Sequence, residues 1–172
     1  MKRSVVQAHR AEAPFALRAA IVTASDTRTR VTDASGDELA EGLRAAGIEV
    51  VDRRIAHDDV AALVHAIRAG IALGADAVLV TGGTGISPRD VTPEALATLG
   101  AKTLPGFGEL FRALSFVDVG PAAMLSRATA GILGRTVVFA LPGSPGACRL
   151  ALARLIVPEL PHLVAQMRKG NP

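Results

Sequence analysis

The chain has 172 residues, 49% hydrophobic and 20% charged, a composition typical of a folded globular protein and not of a disordered one. Its net charge of +3 comes from scattered basic residues, and only 3% of residues are aromatic, so the sequence does not predict a nucleic-acid-binding protein. One cysteine, Cys148, and no apolar stretch near the roughly 20 residues of a membrane span predict a cytoplasmic protein without disulfides.

The first segments of the chain predict an arm, a strand and a helix. Residues 1–14 are polar and basic and end at a proline, which predicts a flexible arm followed by a single α/β domain over residues 15–168. Residues 17–24 form an apolar run typical of a buried strand. Ser35 and Glu38 have the spacing of a capping box, which predicts that Ser35 caps the first helix.

The next segments predict two further strands with a helix between them. Residues 48–55 alternate apolar and polar side chains, which is the period of a β-strand. Asp58 is a candidate N-cap for the helix that follows, whose apolar residues recur at helical spacing. Residues 77–80 contain almost no polar side chain, as is typical of a parallel strand buried on both faces.

Prolines mark two helix boundaries in the second half of the chain. Thr92 precedes a proline and is expected to cap a helix that carries Pro93 in its first turn. Pro105 and Gly106 are expected to interrupt the chain before a short helix over residues 107–116.

The last segments predict a hairpin and a closing helix. Residues 126–133 and 135–141 flank Gly134, as two strands flank a tight turn. Ser144 is expected to cap the closing helix, with Pro145 at its first position. The alternation of strands and helices predicts a three-layer α/β/α fold with a mostly parallel central sheet and a small β-hairpin.

A small, glycine-rich loop follows the third predicted strand directly. It contains Thr81, Gly82, Gly83, Thr84 and Gly85. Ligands of open α/β sheets bind at the carboxyl ends of the strands, and glycines leave backbone N–H groups free to face an anion. Asp90 follows the loop closely. The pattern therefore predicts a phosphate-type ligand with a carboxylate nearby that could hold a metal ion.

Several familiar motifs are excluded. No Gly-Lys-Ser/Thr follows the loop, its glycines lack the spacing of a dinucleotide fingerprint, and the chain has no Gly-x-Ser-x-Gly elbow. The four histidines show no metal-ligand spacing, and one cysteine does not make a structural zinc site. Phosphoryl or nucleotidyl transfer stays open, because it needs a phosphate cradle, Mg²⁺ ligands and cations but no protein nucleophile.

Four short segments, in order along the chain, carry a resemblance to a known family: residues 81–94, 105–112, 125–127 and 141–145. They resemble the MoaB/Mog family of molybdenum cofactor biosynthesis proteins, the molybdopterin adenylyltransferases, and more closely its MoaB type. With the layout of strands and helices, the resemblance covers residues 15–165. It implies the molybdopterin-binding fold of that family and a homotrimer or a hexamer.

The resemblance also implies an activity. It implies that Mg-ATP adenylylates molybdopterin, with release of pyrophosphate, ahead of metal insertion by a separate protein. Mg²⁺ would be the cofactor, and molybdopterin and ATP the substrates. Residues 89–93 match the active form of the family, which favours an active enzyme. The alternatives are an inactive molybdopterin carrier or scaffold of the same pathway, and an oligomeric nucleotide-binding protein of a related pathway.

Carried over residue by residue, the resemblance assigns catalysis and Mg²⁺ to Asp90 and Asp58, although Asp58 as a simple helix cap stays open. It implies that a larger set binds the phosphate and the pterin: Thr81, Gly82, Gly83, Thr84, Gly85, Ser87, Arg89, Glu109, Arg112, Ser126, Arg127, Pro142, Gly143 and Ser144. Ser25 and Asp26, at the end of the first predicted strand, are expected on the nucleotide side.

Overall fold

The computed structural model describes residues 16–169, and the predicted arm over residues 1–14 lies outside that range. The described strands are β1 (Arg18–Ala24), β2 (Glu49–Ala56), β3 (Ala77–Thr81), β4 (Lys102–Thr103), β5 (Thr129–Leu133) and β6 (Thr136–Leu141). The α-helices are α1 (Ala34–Ala45), α2 (Val60–Ala72), α3 (Thr92–Thr98), α4 (Pro105–Val119), α5 (Pro145–Ala151) and α6 (Val157–Arg168). A 3₁₀ turn spans Gly120–Leu125, and a π-helical stretch, Leu152–Ile156, joins α5 to α6.

The strands form one sheet in the order β2-β1-β3-β6-β5-β4. The first four are parallel, and β5 and β4 continue the sheet in antiparallel fashion. Thr23 pairs with Thr81, and Thr81 pairs with Leu141, so β1, β3 and β6 end level with one another. The predicted mostly parallel sheet and the hairpin around Gly134 are confirmed. β2 and β3 lie on opposite sides of β1. The carboxyl ends of these strands therefore flank the topological switch point, which is where open sheets bind ligands.

Helices cover both faces of the sheet. Along β1, Ala19 and Ile21 face one apolar layer, and Ala20 and Val22 face the other. The first layer holds α1, α4, α5 and α6, and the second holds α2 and α3. The three-layer α/β/α prediction is confirmed, and the strands are apolar on both faces because both faces are covered.

The predicted cap of the first helix is wrong. Asp33 caps α1, since its Oδ1 accepts a hydrogen bond from the Gly36 N–H at 3.0 Å. Ser35 lies buried inside the first turn. Both residue types make good caps, and the tertiary partners of Asp33 described below decide between them.

Two further caps differ from the prediction. Asp59, and not Asp58, caps α2 by accepting from the Ala62 N–H at 2.9 Å, which leaves the Asp58 side chain available for other contacts. Thr92 makes no cap hydrogen bond on α3. Its buried hydroxyl instead donates to the carbonyl oxygen of Gly82 at 2.8 Å, because the glycine-rich loop passes directly over it.

Of two helices that begin at prolines, one starts as predicted and the other does not. Ser144 caps α5 as predicted, accepting from the Ala147 N–H at 3.3 Å. In contrast, Pro105 begins α4 instead of breaking the chain, and the helix runs to Val119, beyond the predicted residues 107–116. Proline suits the first turn because the N–H that it lacks has no helical partner there.

Three short elements were not predicted: β4, the 3₁₀ turn and the π-helical stretch. Segments of two to six residues are too short to show a period in the sequence. None of the helices between residues 16 and 169 combines the length and the apolar character needed to cross a bilayer.

A buried ionic cluster ties the loop after β1 to the sheet. Asp33 is fully buried and accepts hydrogen bonds from the Thr23 hydroxyl at 2.9 Å and from Nη2 of Arg53 at 2.8 Å. Arg53 also pairs with Asp37, whose side chain is 49% exposed. A buried carboxylate is tolerated only with such partners, so the cluster fixes where α1 begins.

We expect Asp33→Ala to lower the free energy of unfolding by about 3–5 kcal/mol, because it removes the buried carboxylate that pairs with Arg53, accepts from the Thr23 hydroxyl and caps α1. Asp37→Ala removes the other, more exposed partner of the same arginine and is expected to cost less than about 1 kcal/mol. Urea denaturation of both variants checks this. Equal losses would contradict the role given to the buried partner.

Candidate functional site

A cavity of about 450 Å³ opens where β3 and β6 end. Its walls come from the glycine-rich loop after β3, the loop after β6 and the end of the 3₁₀ turn. We call it the cradle, and its lining residues are Gly82, Gly83, Thr84, Gly85, Asp90, Leu125, Ser126, Pro142, Gly143 and Ser144. Except for Leu125, all belong to the set expected from the sequence.

The two glycine loops of the cradle approach each other closely at its base. Gly82 has φ +103°, and a Cβ there would lie 2.4 Å from the carbonyl oxygen of Ala24. A Cβ on Gly143 would lie 3.4 Å from the Cα of Gly82. A side chain at residue 82 would push β1 and β3 apart, so glycine is required there for the strand ends to meet.

The cradle presents unpaired hydrogen-bond donors. Between residues 16 and 169, the backbone N–H groups of Gly83, Thr84 and Gly85 donate to no other protein group. Such N–H groups are obligatory donors that must face water or a ligand. Consecutive free N–H groups in a tight loop form a concavity that suits a phosphate oxygen.

The Asp90 carboxylate is held in a fixed orientation at the rim of the cradle. Its Oδ2 accepts from the Ser87 N–H at 2.8 Å, and its own N–H donates to the Ser87 carbonyl at 2.9 Å. A Cβ on Gly85 would lie 2.7 Å from the same Oδ2, so only glycine admits the carboxylate there. With Oδ2 engaged by the loop, Oδ1 is the atom left for a ligand.

Asp58 and Asp26 lie beside the cradle. A Cβ on Gly83 would stand 3.5 Å from Oδ1 of Asp58, so this carboxylate faces the glycine-rich loop. Burial, and then the negative charges of Asp26 and Asp90, raise the pKa of Asp58. Hydrogen bonds from His57 and from the Asp58 N–H lower the pKa of Asp26. The site thus gathers three carboxylates within electrostatic reach of one another.

Thr81 lies beneath the cradle and not in its wall. Its hydroxyl is buried and donates to the carbonyl oxygen of Pro142 at 2.9 Å, joining the ends of β3 and β6. The Cys148 thiol lies 3.2 Å from the same hydroxyl oxygen. Burial is the main cause that raises the pKa of Cys148 to about 11, so its sulfur stays a neutral thiol.

In the structure, two arginines expected to bind phosphate contact protein carbonyl oxygens. Arg112 Nη1 donates to the carbonyl oxygens of Ser126 and Ala128 at 3.3 and 3.0 Å, bracing α4 against the segment before β5. Arg127 Nε donates to the carbonyl oxygen of Gly85 at 2.7 Å, behind the cradle wall.

The remaining expected residues lie outside the cradle wall. Glu109 is exposed on α4, and Ser87 is exposed in the loop that holds Asp90. The side chain of Arg89 is 80% exposed, with its Nη1 3.9 Å from Oδ2 of Asp26. Ser25 Oγ accepts from the backbone N–H groups of residues 27 and 28, directly after β1.

A second cavity of about 360 Å³ adjoins the cradle and shares Ser126, Pro142 and Ser144 with it. Its other walls are largely apolar, with two polar side chains on α4: Phe111, Ser115, Asp118, Val119, Ala122, Ala123, Gly146, Ala147 and Leu150. Sequence reasoning did not place this wall. The helical spacing of residues 111, 115 and 118 was the available signal, because it puts them on one face of α4.

The donor set at the rim suits a hard cation shared with a substrate. Within the part of the chain that the structure describes, no three His, Cys, Asp or Glu side chains form a group that could hold a metal ion by themselves. Mg²⁺, however, usually takes one or two carboxylates and completes its shell with phosphate oxygens and water. Asp58 and Asp90 fit that requirement, because both carboxylates lie against the glycine-rich loop.

Known proteins are similar to this chain in sequence and in architecture. The family model described as "Probable molybdopterin binding domain" matches residues 20–162. Molybdenum cofactor biosynthesis protein B of Bacillus subtilis (strain 168) is 49% identical over 168 residues, which cover 96% of this chain and 99% of that protein.

Solved structures agree. A crystal structure of Molybdenum cofactor biosynthesis protein B has a TM-score of 0.86 at 50% identity and covers 91% of this chain and 98% of that one. The tungsten cofactor synthesizing protein MoaB from Pyrococcus furiosus has a TM-score of 0.82 at 39% identity, covering 91% of this chain and 100% of that one. The chain therefore belongs to the MoaB/Mog family of molybdenum cofactor biosynthesis proteins.

Proposed function

We propose that this protein adenylylates molybdopterin with Mg-ATP and releases pyrophosphate. The observation that carries the proposal is the placement of two carboxylates, Asp58 and Asp90, against a loop whose N–H groups are free to bind phosphate. Nucleotidyl transfer depends on positioning and charge. It therefore needs N–H groups that bind phosphate and carboxylates close to them, here on one edge of a sheet.

The cradle and the adjoining cavity bind different parts of one substrate, molybdopterin. The free N–H groups of residues 83–85 bind the terminal phosphate of molybdopterin. The adjoining cavity, reached past Ser126, takes the pterin ring, since its walls are largely apolar and small. Asp118 lies in that wall, and its carboxylate can accept hydrogen bonds from the amino and ring N–H groups of a pterin.

The transfer itself forms one bond and breaks one. An oxygen of the terminal phosphate of molybdopterin attacks the α-phosphorus of ATP, and the bond from that phosphorus to the bridging oxygen of the β-phosphate breaks. Pyrophosphate leaves with the electron pair of that bond. Residues 83–85 hold the attacking phosphate in place, and no side chain becomes covalently linked.

Asp58 and Asp90 are the residues that would hold Mg²⁺. When bound there, Mg²⁺ supplies positive charge that offsets the negative charge developing on the α-phosphate and on the leaving pyrophosphate. Ser87 keeps Asp90 oriented for this role through the hydrogen bond to Oδ2. Burial, and then the negative charges of Asp26 and Asp90, raise the pKa of Asp58, and a bound cation would offset those charges.

The nucleotide side is proposed at the loop after β1, next to the carboxylates. The Ser25 hydroxyl accepts from two backbone N–H groups and keeps its own hydrogen for a phosphate or ribose oxygen. Asp26 is fixed by His57, whose Nδ1 lies 3.0 Å from its Oδ1. Arg89, exposed nearby, supplies a cation for the triphosphate.

An exposed apolar patch supports the proposed homotrimer. At the end of α4 and in the 3₁₀ turn, large apolar side chains face outward: Phe116, Val117, Val119, Met124 and Leu125. Contiguous apolar surface of this kind usually marks an interface. Leu125 also lines the cradle, so a second copy bound here would lie next to the substrate site.

We expect Val117→Glu to dissociate the assembly, because a charge at a side chain that is 82% exposed would be buried in the interface. Val31→Glu is the matched control, since Val31 is 92% exposed and lies outside the patch. Light scattering at micromolar concentration reports the mass of each variant. A wild-type monomer, or loss of assembly in the control alone, would contradict the proposed interface.

Asp90→Asn keeps the shape of the side chain and removes its charge, so we expect turnover to fall about a hundredfold or more with the fold unchanged. The measurement is pyrophosphate release from Mg-ATP with and without molybdopterin. Asp59→Asn is the control, because asparagine caps a helix as well as aspartate and the residue lies outside the site. Full activity in Asp90→Asn would refute its role, and molybdopterin binding without pyrophosphate release by the wild type would favour the scaffold alternative.

Asp58→Asn is expected to raise the melting temperature at pH 7 while lowering turnover. The pKa of Asp58 is raised in the folded protein, so its contribution to stability is present at low pH and is lost as pH rises through the folded pKa. A neutral amide avoids that loss above this pKa. The check is thermal melting at pH 7 and at a pH below the ordinary pKa of a carboxyl group. The prediction requires that the rise in melting temperature of the variant disappears at the lower pH. An equal gain at both pH values would contradict it.

A further inference from the structure

The side chain of Arg127 bridges three separate groups behind the cradle. Its Nε donates to the carbonyl oxygen of Gly85 at 2.7 Å, and its Nη2 donates to the carbonyl oxygen of Asp90. Its Nη1 is paired with the Glu94 carboxylate, in the first turn of α3. We call this arrangement the Arg127–Glu94 clamp.

The clamp closes the loop that carries Asp90. Gly85 and Asp90 are the two ends of that loop, and one planar guanidinium holds both of their carbonyl oxygens. The backbone N–H of Arg127 also donates to the carbonyl oxygen of Thr84 at 2.8 Å. The segment before β5 is thereby fixed along the back of the loop, and the front of the loop faces the cradle.

The partners of Arg127 fit a structural bridge better than a phosphate ligand. Each of its three guanidinium nitrogens already donates to a protein oxygen. The hydrogen bond from Arg127 is the main cause that lowers the pKa of Glu94, so the pair is an ionised one. A phosphate would have to compete with this carboxylate and with two carbonyl oxygens.

We propose that Arg127 and Glu94 are positioning residues, which hold the 85–90 loop so that the free edge of the Asp90 carboxylate faces the ligand. This inference rests on the adenylyl transfer proposed above for the role of Asp90. Arginine is required because its rigid fork can bond two carbonyl oxygens and a carboxylate at once. Lysine carries a single ammonium group that cannot span all three.

The test compares Arg127→Gln, Arg127→Lys, Glu94→Gln and the double variant Glu94→Gln/Arg127→Gln. Arg149→Gln is the matched control, because Arg149 forms an exposed two-point pair with Glu38 away from the loop. Pyrophosphate release gives kcat, the KM for molybdopterin and the Mg²⁺ concentration at half-maximal rate. Amide hydrogen exchange of Ser87 and Asp90 reports the order of the loop in the absence of any substrate.

If the clamp positions Asp90, Arg127→Gln and Glu94→Gln each lower kcat by roughly ten- to a hundredfold and raise the Mg²⁺ requirement. The KM for molybdopterin then changes by less than about twofold, and the Ser87 and Asp90 amides exchange faster. The double variant is no worse than Arg127→Gln alone, because both changes break one unit. Arg127→Lys falls between Arg127→Gln and the wild type, and the control matches the wild type.

The opposite pattern would overturn the clamp. A phosphate ligand at Arg127 predicts a KM for molybdopterin that rises about tenfold in Arg127→Gln, unchanged amide exchange, and no loss in Glu94→Gln. If the wild type releases no pyrophosphate, the adenylyl-transfer proposal fails by itself. The exchange rates then still decide whether the clamp orders the loop, and unchanged exchange in Arg127→Gln refutes it.

Discussion

The site depends on one constraint: the backbone register that ends β1, β3 and β6 at the same level. Thr23, Thr81 and Leu141 stand side by side across these strands. Beyond these residues each strand turns at once. The turns meet so closely that Gly82 has no room for a Cβ against Ala24. The hydrogen bond from the Thr81 hydroxyl to Pro142 then joins two of the turns. A shift of β3 by one residue against β1 would move the glycine-rich loop out of line with the other two turns.

Much of this arrangement could be predicted from the sequence, because it depends on local patterns. The apolar run before Thr81 identifies a strand buried on both faces, and the glycines that follow it predict an anion-binding loop. Ser144 and Pro145 identify the start of α5 in the same way. The resemblance to the MoaB/Mog family implied that the loop over residues 142–145 belongs to the same pocket.

The sequence could not decide between side chains that suit the same local role equally well. Ser35 and Asp33 are both good helix caps, and the choice depends on Arg53, which comes from the neighbouring strand β2. Asp59 caps α2, and its neighbour Asp58 does not, so the Asp58 carboxylate can face the glycine-rich loop. Arg127 likewise has a charge that suits phosphate, and only the fold shows that carbonyl oxygens surround it. For Asp33, Asp58 and Arg127, the contacts come from residues far away in sequence, which local patterns do not show.

The buried thiol under the cradle has a consequence for measuring the motion of the site. Cys148 is the only cysteine of the chain; it is fully buried, and its pKa of about 11 keeps it protonated. A thiol in this state does not react with alkylating reagents while the floor of the cradle stays closed. Its rate of modification therefore reports how often the protein opens at the contact between this thiol and the Thr81 hydroxyl. The wild-type chain thus carries a built-in reporter of local opening at the point where its two loops are joined.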